Sequence, residues 1–127
     1  MRGEGQRFLA ENKTKEGVKT TASGLQYKVI TAGNGKAPIV TDKVTVHYTG
    51  KLTDGTIFDS SVARGTPYTT GLTQVIGGWT EALQLMHEGD KWIIFIPENL
   101  GYGSRGSGAQ IPPYSVLIFE LELIKVN

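Results

Sequence analysis

The 127-residue chain contains no cysteine. That one absence removes thiol nucleophiles, disulfide scaffolding and thiolate metal sites together. Histidine is scarce, with two residues in the whole chain, His47 and His87. An excess of charge of either sign is missing as well. Thirteen basic against twelve acidic residues leave a formal net charge of +1. With no basic block, nothing in the composition points to nucleic acid or an anionic membrane as partner. No stretch approaches the ~18 consecutive apolar residues of a membrane span. The N-terminus, MRGEGQRFLAENKTKEG, lacks the apolar h-region of a signal peptide.

What the chain does have is glycine, 17 residues of it. So much glycine implies many tight turns and a β-rich fold. The length fits one domain, and a hydrophobic fraction of 39% is enough for one modest core. Residues 1–21 are polar and read as a linker or the end of a connecting helix, with Gln6 to Lys15 helical and Gly17 ending it. Phe8 and Leu9 are the sizeable apolar residues there. They are too few for a stable dimer interface, so a monomer is expected. Residues 22–127 form the domain proper.

From Leu25 the pattern alternates. Leu25, Tyr27 and Val29 form one such run, and Val44, Val46 and Tyr48 a second. Asp54-Gly55 then signals a hairpin, returning through Ile57 and Phe58. Asp59 to Gln74 shows no period and is expected to be irregular. Trp79, Ala82, Leu83 and Met86 fall at i, i+3, i+4 and i+7, the apolar stripe of a helix that Gly77-Gly78 precedes and Gly89 closes. Lys91 to Ile96 and Val116 to Val126 are strands. One helix cannot cover two faces, so the sheet must curl around it. The class is α+β: a curved antiparallel sheet of about five or six strands wrapped on one short amphipathic helix.

Two motifs fail on context. Gly101-Tyr102-Gly103-Ser104-Arg105-Gly106 fits the dinucleotide pattern, but it runs into Ile111-Pro112-Pro113 and opens no helix to hold pyrophosphate. Ser60 and Ser61 stand in no nucleophile elbow. His47 reads as a surface strand residue, and His87 as a helix-end residue suited to the dipole.

One constellation is left, and it is aromatic. It comprises Val46-His47-Tyr48-Thr49-Gly50, Asp54 to Ser61 with Ile57-Phe58-Asp59 at its centre, Val75-Ile76-Gly77-Gly78-Trp79, Gly101-Tyr102-Gly103, Ile111-Pro112-Pro113 and Leu117-Ile118-Phe119. In this order and spacing the segments resemble the FKBP family of peptidyl-prolyl cis-trans isomerases. Ser23 to Tyr27 and Trp79 to Met86 resemble its bacterial branch that includes the macrophage infectivity potentiator (Mip) proteins.

The resemblance implies an enzyme, a peptidyl-prolyl isomerase that assists protein folding without metal or other cofactor. Carried onto this chain, it implies catalytic roles for Phe58, Asp59, Ile76, Trp79 and Tyr102. It implies substrate contacts from Tyr48, Arg64, Tyr68, Val75, Ile111 and Phe119. Trp79 would be the floor, and the Ile76 N–H and Tyr102 hydroxyl would donate to substrate carbonyls. Asp59 would order Tyr48 and Arg64. The implied partners are proline-containing peptides, unfolded proteins and the macrolides tacrolimus and rapamycin. Full-length relatives are often homodimers, and the compartment stays open between bacterial cytoplasm and periplasm. A binding or chaperone module with incidental isomerase activity is the alternative. The chain departs from the family at Gly77, where this branch usually has proline, at Thr70-Gly71, expected to thin one wall, and at Ser107 and Gln110.

Overall fold

The computed structural model describes residues 2–103, 105, 106 and 111–126, with side chains from Gly5 onward; Ser104, Ser107 and Gln110 lie outside them. Alternation sets the central strands. In β3 (Lys43–Leu52) Val44, Val46, Tyr48 and Gly50 are buried, with partly exposed Thr45, His47 and Thr49 between them. In β7 (Leu117–Val126) Leu117, Phe119, Leu121 and Leu123 are buried in the same way. The two strands run antiparallel along their lengths, with Val44 opposite Val126 and Leu52 opposite Leu117.

From β7 the sheet continues through β6 (Lys91–Ile96) and β2 (Gln26–Thr31) to β1 (Val18–Thr20). On its other side, β3 is shared by two short strands. β5 (Tyr68–Gly71) pairs with Lys43 to Val46, and β4 (Ile57–Ser60) with Thr49 to Lys51. The β3–β4 hairpin turns at Asp54-Gly55, where Gly55 takes φ 91° and the Asp54 carboxylate accepts from the Thr56 N–H at 2.9 Å. The left-handed φ is the reason for glycine at that position.

The sheet has seven strands rather than five or six. The unforeseen ones are β1, of three residues, and β5, of four. Both are too short to display an alternation. The stretch read as irregular, Asp59 to Gln74, holds the end of β4, a one-turn helix α2 (Ser61–Arg64), β5 and a 3-10 turn at Leu72–Gln74.

The expected helix is α3 (Gly77–Leu85), with Gly77 and Gly78 inside it rather than before it. Its stripe, Trp79, Ala82, Leu83 and Met86, is buried in one cluster with the inward residues of β3, β6 and β7. Each such large side chain contributes about 1.5–3 kcal/mol by leaving water. Gly78 has a steric reason: a Cβ there would stand 2.7 Å from Ile96 Cγ2.

The opposite face of the sheet carries α1 (Arg2–Asn12). Phe8 meets Phe95, which points away from the core that Ile94 and Ile96 enter, with ring centroids 6.1 Å apart. Beside this contact two buried amides satisfy each other and the backbone. Asn12 Nδ2 donates to Gln26 Oε1 at 2.8 Å, and Gln26 Nε2 to the Leu9 carbonyl at 2.9 Å. Buried polar atoms are tolerated when paired in this way.

The neighbouring glycines at the start of α3 should respond in opposite ways. Gly78→Ala drives a methyl group into Ile96 and is expected to cost about 1–3 kcal/mol. Gly77 is the first helical residue, and the nearest neighbour of a Cβ there is Leu100 at 3.6 Å. Ile76 before it already has φ −62° and ψ 154°, the backbone a following proline requires. Gly77→Pro should therefore add about 0.4–1 kcal/mol. Urea unfolding of the two variants checks the pair; a stabilised Gly78→Ala or a destabilised Gly77→Pro would refute the account of this junction.

Candidate active site

Where β3, β4, β5, β7 and the start of α3 converge, five rings pack edge to face. The Trp79 indole is 5.0 Å from the Tyr48 ring at 76°, and 5.2 Å from Phe119 at 85°. Phe58 stands on Phe119 at 5.6 Å and 89°, and Tyr68 on Tyr48 at 5.8 Å and 71°. Edge-to-face pairs at these separations gain about 0.5–1.5 kcal/mol beyond their burial. Gly50 makes the arrangement possible, since a Cβ there would lie 2.7 Å from both Phe58 Cζ and Phe119 Cε1.

Above the rings opens a cleft of about 380 Å³, lined by Tyr48, Phe58, Asp59, Tyr68, Gln74, Val75, Ile76, Trp79, Tyr102 and Phe119. A slightly larger recess, about 440 Å³, lies between α1 and the Pro97–Asn99 segment, and its lining holds a single ring, Tyr114. The cleft is the better candidate because it alone joins packed aromatics to an ionised pair.

That pair joins the end of β4 to the end of α2. Asp59 follows Phe58 and accepts from the Tyr48 hydroxyl at 2.6 Å and from the Arg64 guanidinium. Arg64 ends α2, donates to Tyr48 Oη at 3.1 Å and lies over the Tyr48 ring, 5.8 Å from its centroid. Ser60 caps α2 by accepting from the Ala63 N–H at 3.1 Å, and Gly65 closes it at φ 73°. This cap fixes the reach of Arg64 toward Asp59.

The electrostatics follow from these contacts. Partial burial pushes the Asp59 carboxyl up, but the hydrogen bonds from Tyr48 and Arg64 outweigh it and hold the group below the ordinary carboxylate range. Burial, then the Asp59 hydrogen bond, push the Tyr48 phenol up, against Arg64. The hydrogen bonds to Tyr48 and Asp59 raise Arg64. Near neutrality the cleft wall therefore carries a carboxylate, a neutral phenol and a guanidinium.

Ile76 caps α3, its carbonyl taking the N–H groups of Trp79 at 3.0 Å and Thr80 at 3.1 Å. Its own N–H precedes the helix and stands outside the helical ladder. The segment before it is anchored twice. The Thr80 hydroxyl donates to the Leu72 carbonyl at 2.6 Å, and Gln74 Oε1 accepts from the Gly71 N–H at 3.2 Å. Tyr102 reaches the rim from a turn in which the Gly103 N–H donates to the Glu98 carbonyl at 2.9 Å.

Of the residues singled out in the sequence, nine line the cleft. Arg64 stands behind Asp59, and Ile111 is buried in the core at 4% exposure without joining the cleft lining. Thr70 and Gly71 do not thin a wall. Both are buried in the β5–β3 pairing, and neither lines the cleft. Gln74 joins the lining unforeseen, because a lone glutamine in an aperiodic stretch gives no signal. His47 is no bland surface residue: its Nδ1 lies 2.9 Å from the buried Ser61 hydroxyl.

A family model described as FKBP-type peptidyl-prolyl cis-trans isomerase matches residues 34–124. A second, for the domain amino terminal to such isomerases, matches residues 1–29. Among curated proteins, an FKBP-type 22 kDa peptidyl-prolyl cis-trans isomerase of Escherichia coli is 57% identical over 99% of this chain and 61% of its own length. The peptidyl-prolyl cis-trans isomerase Mip of Coxiella burnetii is 52% identical over 94% of this chain and 52% of its own. The chain thus spans roughly half to three fifths of these relatives. Among solved structures, a peptidyl-prolyl cis-trans isomerase from Pseudomonas syringae superposes with a TM-score of 0.94 at 42% identity, covering 99% of this chain and 92% of that one.

The depressed Asp59 pKa makes a linkage prediction. A carboxyl lowered by folding stabilises the fold above its unfolded pKa, about 3.9. That contribution fades as pH falls through the folded value. Arg64→Ala removes one of the two side chains that lower it, and the Asp59 pKa should rise toward the ordinary carboxylate range. Carbon-13 titration of the carboxyl reads this directly. An Asp59 pKa unchanged by Arg64→Ala would show that the guanidinium does not hold the carboxylate.

Proposed function

The chain belongs to the FKBP-type peptidyl-prolyl cis-trans isomerase family, and from that premise we propose that it accelerates rotation about Xaa–Pro bonds of peptides and unfolded proteins in the cleft over Trp79. The observation that carries this reading is the box of edge-to-face rings beside a single, neutralised carboxylate.

An amide resists rotation because resonance gives its C–N bond partial double-bond character, with a barrier of about 18–20 kcal/mol. For Xaa–Pro both isomers are populated, yet they exchange over tens to hundreds of seconds at about 25 °C. Rotation breaks no covalent bond and calls for no nucleophile. The planar amide is charge-separated and prefers water. The twisted amide has lost that separation and suits an apolar surface. A dry aromatic cleft therefore favours the transition state over the ground state, which is the condition for catalysis. A 10⁴-fold acceleration requires only about 5–6 kcal/mol.

The residues divide the work. Trp79 seats the prolyl ring, with Tyr48, Phe58 and Phe119 as walls and Tyr68 and Val75 at the sides. The Ile76 N–H and the Tyr102 hydroxyl hold substrate carbonyls while the bond turns. Asp59 accepts from Tyr48 and so holds that phenol in place at the cleft wall. The same seat accommodates the macrolides tacrolimus and rapamycin.

Isomerisation of a proline tetrapeptide, followed without added metal or nucleotide, tests the reaction. Tyr102→Phe should lower kcat/KM by about tenfold, the loss of one hydrogen bond of about 1.4 kcal/mol, and Asp59→Leu, which loses the bonds from both Tyr48 and Arg64, by at least as much, with circular dichroism unchanged in both. Parent rates in both variants would remove their assigned roles.

Trp79 serves packing and function at once, so Trp79→Ala, costing about 3–5 kcal/mol, would confuse unfolding with lost catalysis. Trp79→Leu keeps more of the volume. It should stay folded, lose part of the rate and bind rapamycin more weakly. Rapamycin should perturb the parent's fluorescence through Trp79, whereas Trp92, stacked on Tyr27 at 4.3 Å, should respond little. A ligand-induced change that survived Trp79→Leu but vanished in Trp92→Phe would place the site elsewhere.

A further inference from the structure

The outer edge of β3 has a gap. β5 pairs with it up to Val46 and β4 takes over at Thr49, so His47 and Tyr48 face no strand on that side. A single side chain fills the gap. The Tyr48 N–H donates to Ser61 Oγ at 2.7 Å, and the Ser61 hydroxyl lies 3.3 Å from the Tyr48 carbonyl. Ser61 is fully buried and is the first residue of α2. It substitutes for one rung of a missing strand.

A hydroxyl rotates freely and is a poor rung unless something fixes it. His47 Nδ1 stands 2.9 Å from the same oxygen. Nδ1 ties to Ser61 in either protonation state, accepting the hydroxyl proton when bare and donating when protonated. Three residues after Ser61 comes Arg64, the side chain that grips Asp59 and Tyr48 Oη. α2 is four residues long, too short to hold its place by its own hydrogen bonds. Apart from Arg64 itself, α2 is tied to β3 through its N-cap, Ser60, whose hydroxyl lies 2.9 Å from Thr49 Oγ1.

We propose that His47 is a positioning residue for the isomerase site: through Ser61 it pins α2 across the gap in β3 and so keeps Arg64 in register with Asp59 and Tyr48. His47 does not touch the cleft. It acts from a recess of about 200 Å³ shared with Lys91, Glu120 and Glu122. The inference rests on the isomerase reading for its kinetic consequence but not for its structural one.

The test is a double-mutant cycle with two readouts, the Asp59 carbon-13 titration and kcat/KM on a proline tetrapeptide. Arg64→Ala should raise the Asp59 pKa, and His47→Ala should raise it by a smaller amount and lower kcat/KM about threefold. In an Arg64→Ala background, His47→Ala should change neither. Ser61→Ala leaves any imidazole charge in place and should reproduce the His47→Ala effect, which separates positioning from a charge acting through space. His47→Asn puts a δ-atom at the same bond distance from Cα and should restore both readouts. A purely structural role would lower the melting temperature of His47→Ala without moving the Asp59 titration, and that result overturns the proposal. So does an effect of His47→Ala that persists undiminished without Arg64. A parent chain with no isomerase activity would sink the functional reading, while the Asp59 titration would still decide the role of His47.

Discussion

A helix of nine residues has to fill the hollow of a seven-stranded sheet, and the Trp79 indole is what lets it do so. The ring touches Tyr48 of β3 and Phe119 of β7 from the first turn of α3, joining the helix to the two longest strands at one point. Ala82, Leu83 and Met86 fill the remainder of the hollow, but they lie deeper and have no open side. The same indole has one edge in the core and one face at the cleft. Any change that loosens α3 therefore also disturbs the lining of the cleft.

Around this floor the polar groups are few and paired. A carboxylate beside an aromatic wall would be expensive to desolvate alone. Asp59 stays ionised because Tyr48 and Arg64 both donate to it, and the same bonds occupy the Tyr48 hydroxyl. The result is a cleft wall whose polar groups satisfy one another. Arg64, half exposed, supplies charge without being buried itself.

Much of this was legible in the sequence, and the boundary of legibility has a physical cause. β3, β7 and α3 each run long enough for a period to repeat, and each was found with its inward face correctly assigned. β1, β5 and α2 span three or four residues, no more than two repeats of the strand period or about one of the helical period, too few for a pattern to show. The cleft lining came largely from resemblance to a family, since periodicity alone cannot tell a core ring from a cleft ring. What neither route could supply were ties depending on register. His47 and Ser61 are fourteen residues apart, and their contact exists only because β5 stops and β4 begins where it does. Gln74 likewise enters the lining through a bond to Gly71 that no pattern announces.

The two kinds of residue in the cleft are under different constraints. Trp79, Tyr48 and Phe119 count twice, for stability and for the shape of the floor, and truncating any of them opens a cavity inside the core as well as in the site. Asp59 and Tyr102 stand at the rim with Arg64 behind Asp59, and the hydrogen bonds among Asp59, Arg64 and Tyr48 shape the cleft more than they hold the fold. The rim and the Leu72–Ile76 segment can therefore change without unfolding the domain, whereas Trp79 and its ring neighbours can change only together with the sheet beneath them. The gap in β3 lies between these two regimes. It is sealed by a buried hydroxyl that belongs to the fold, yet what it positions is the rim.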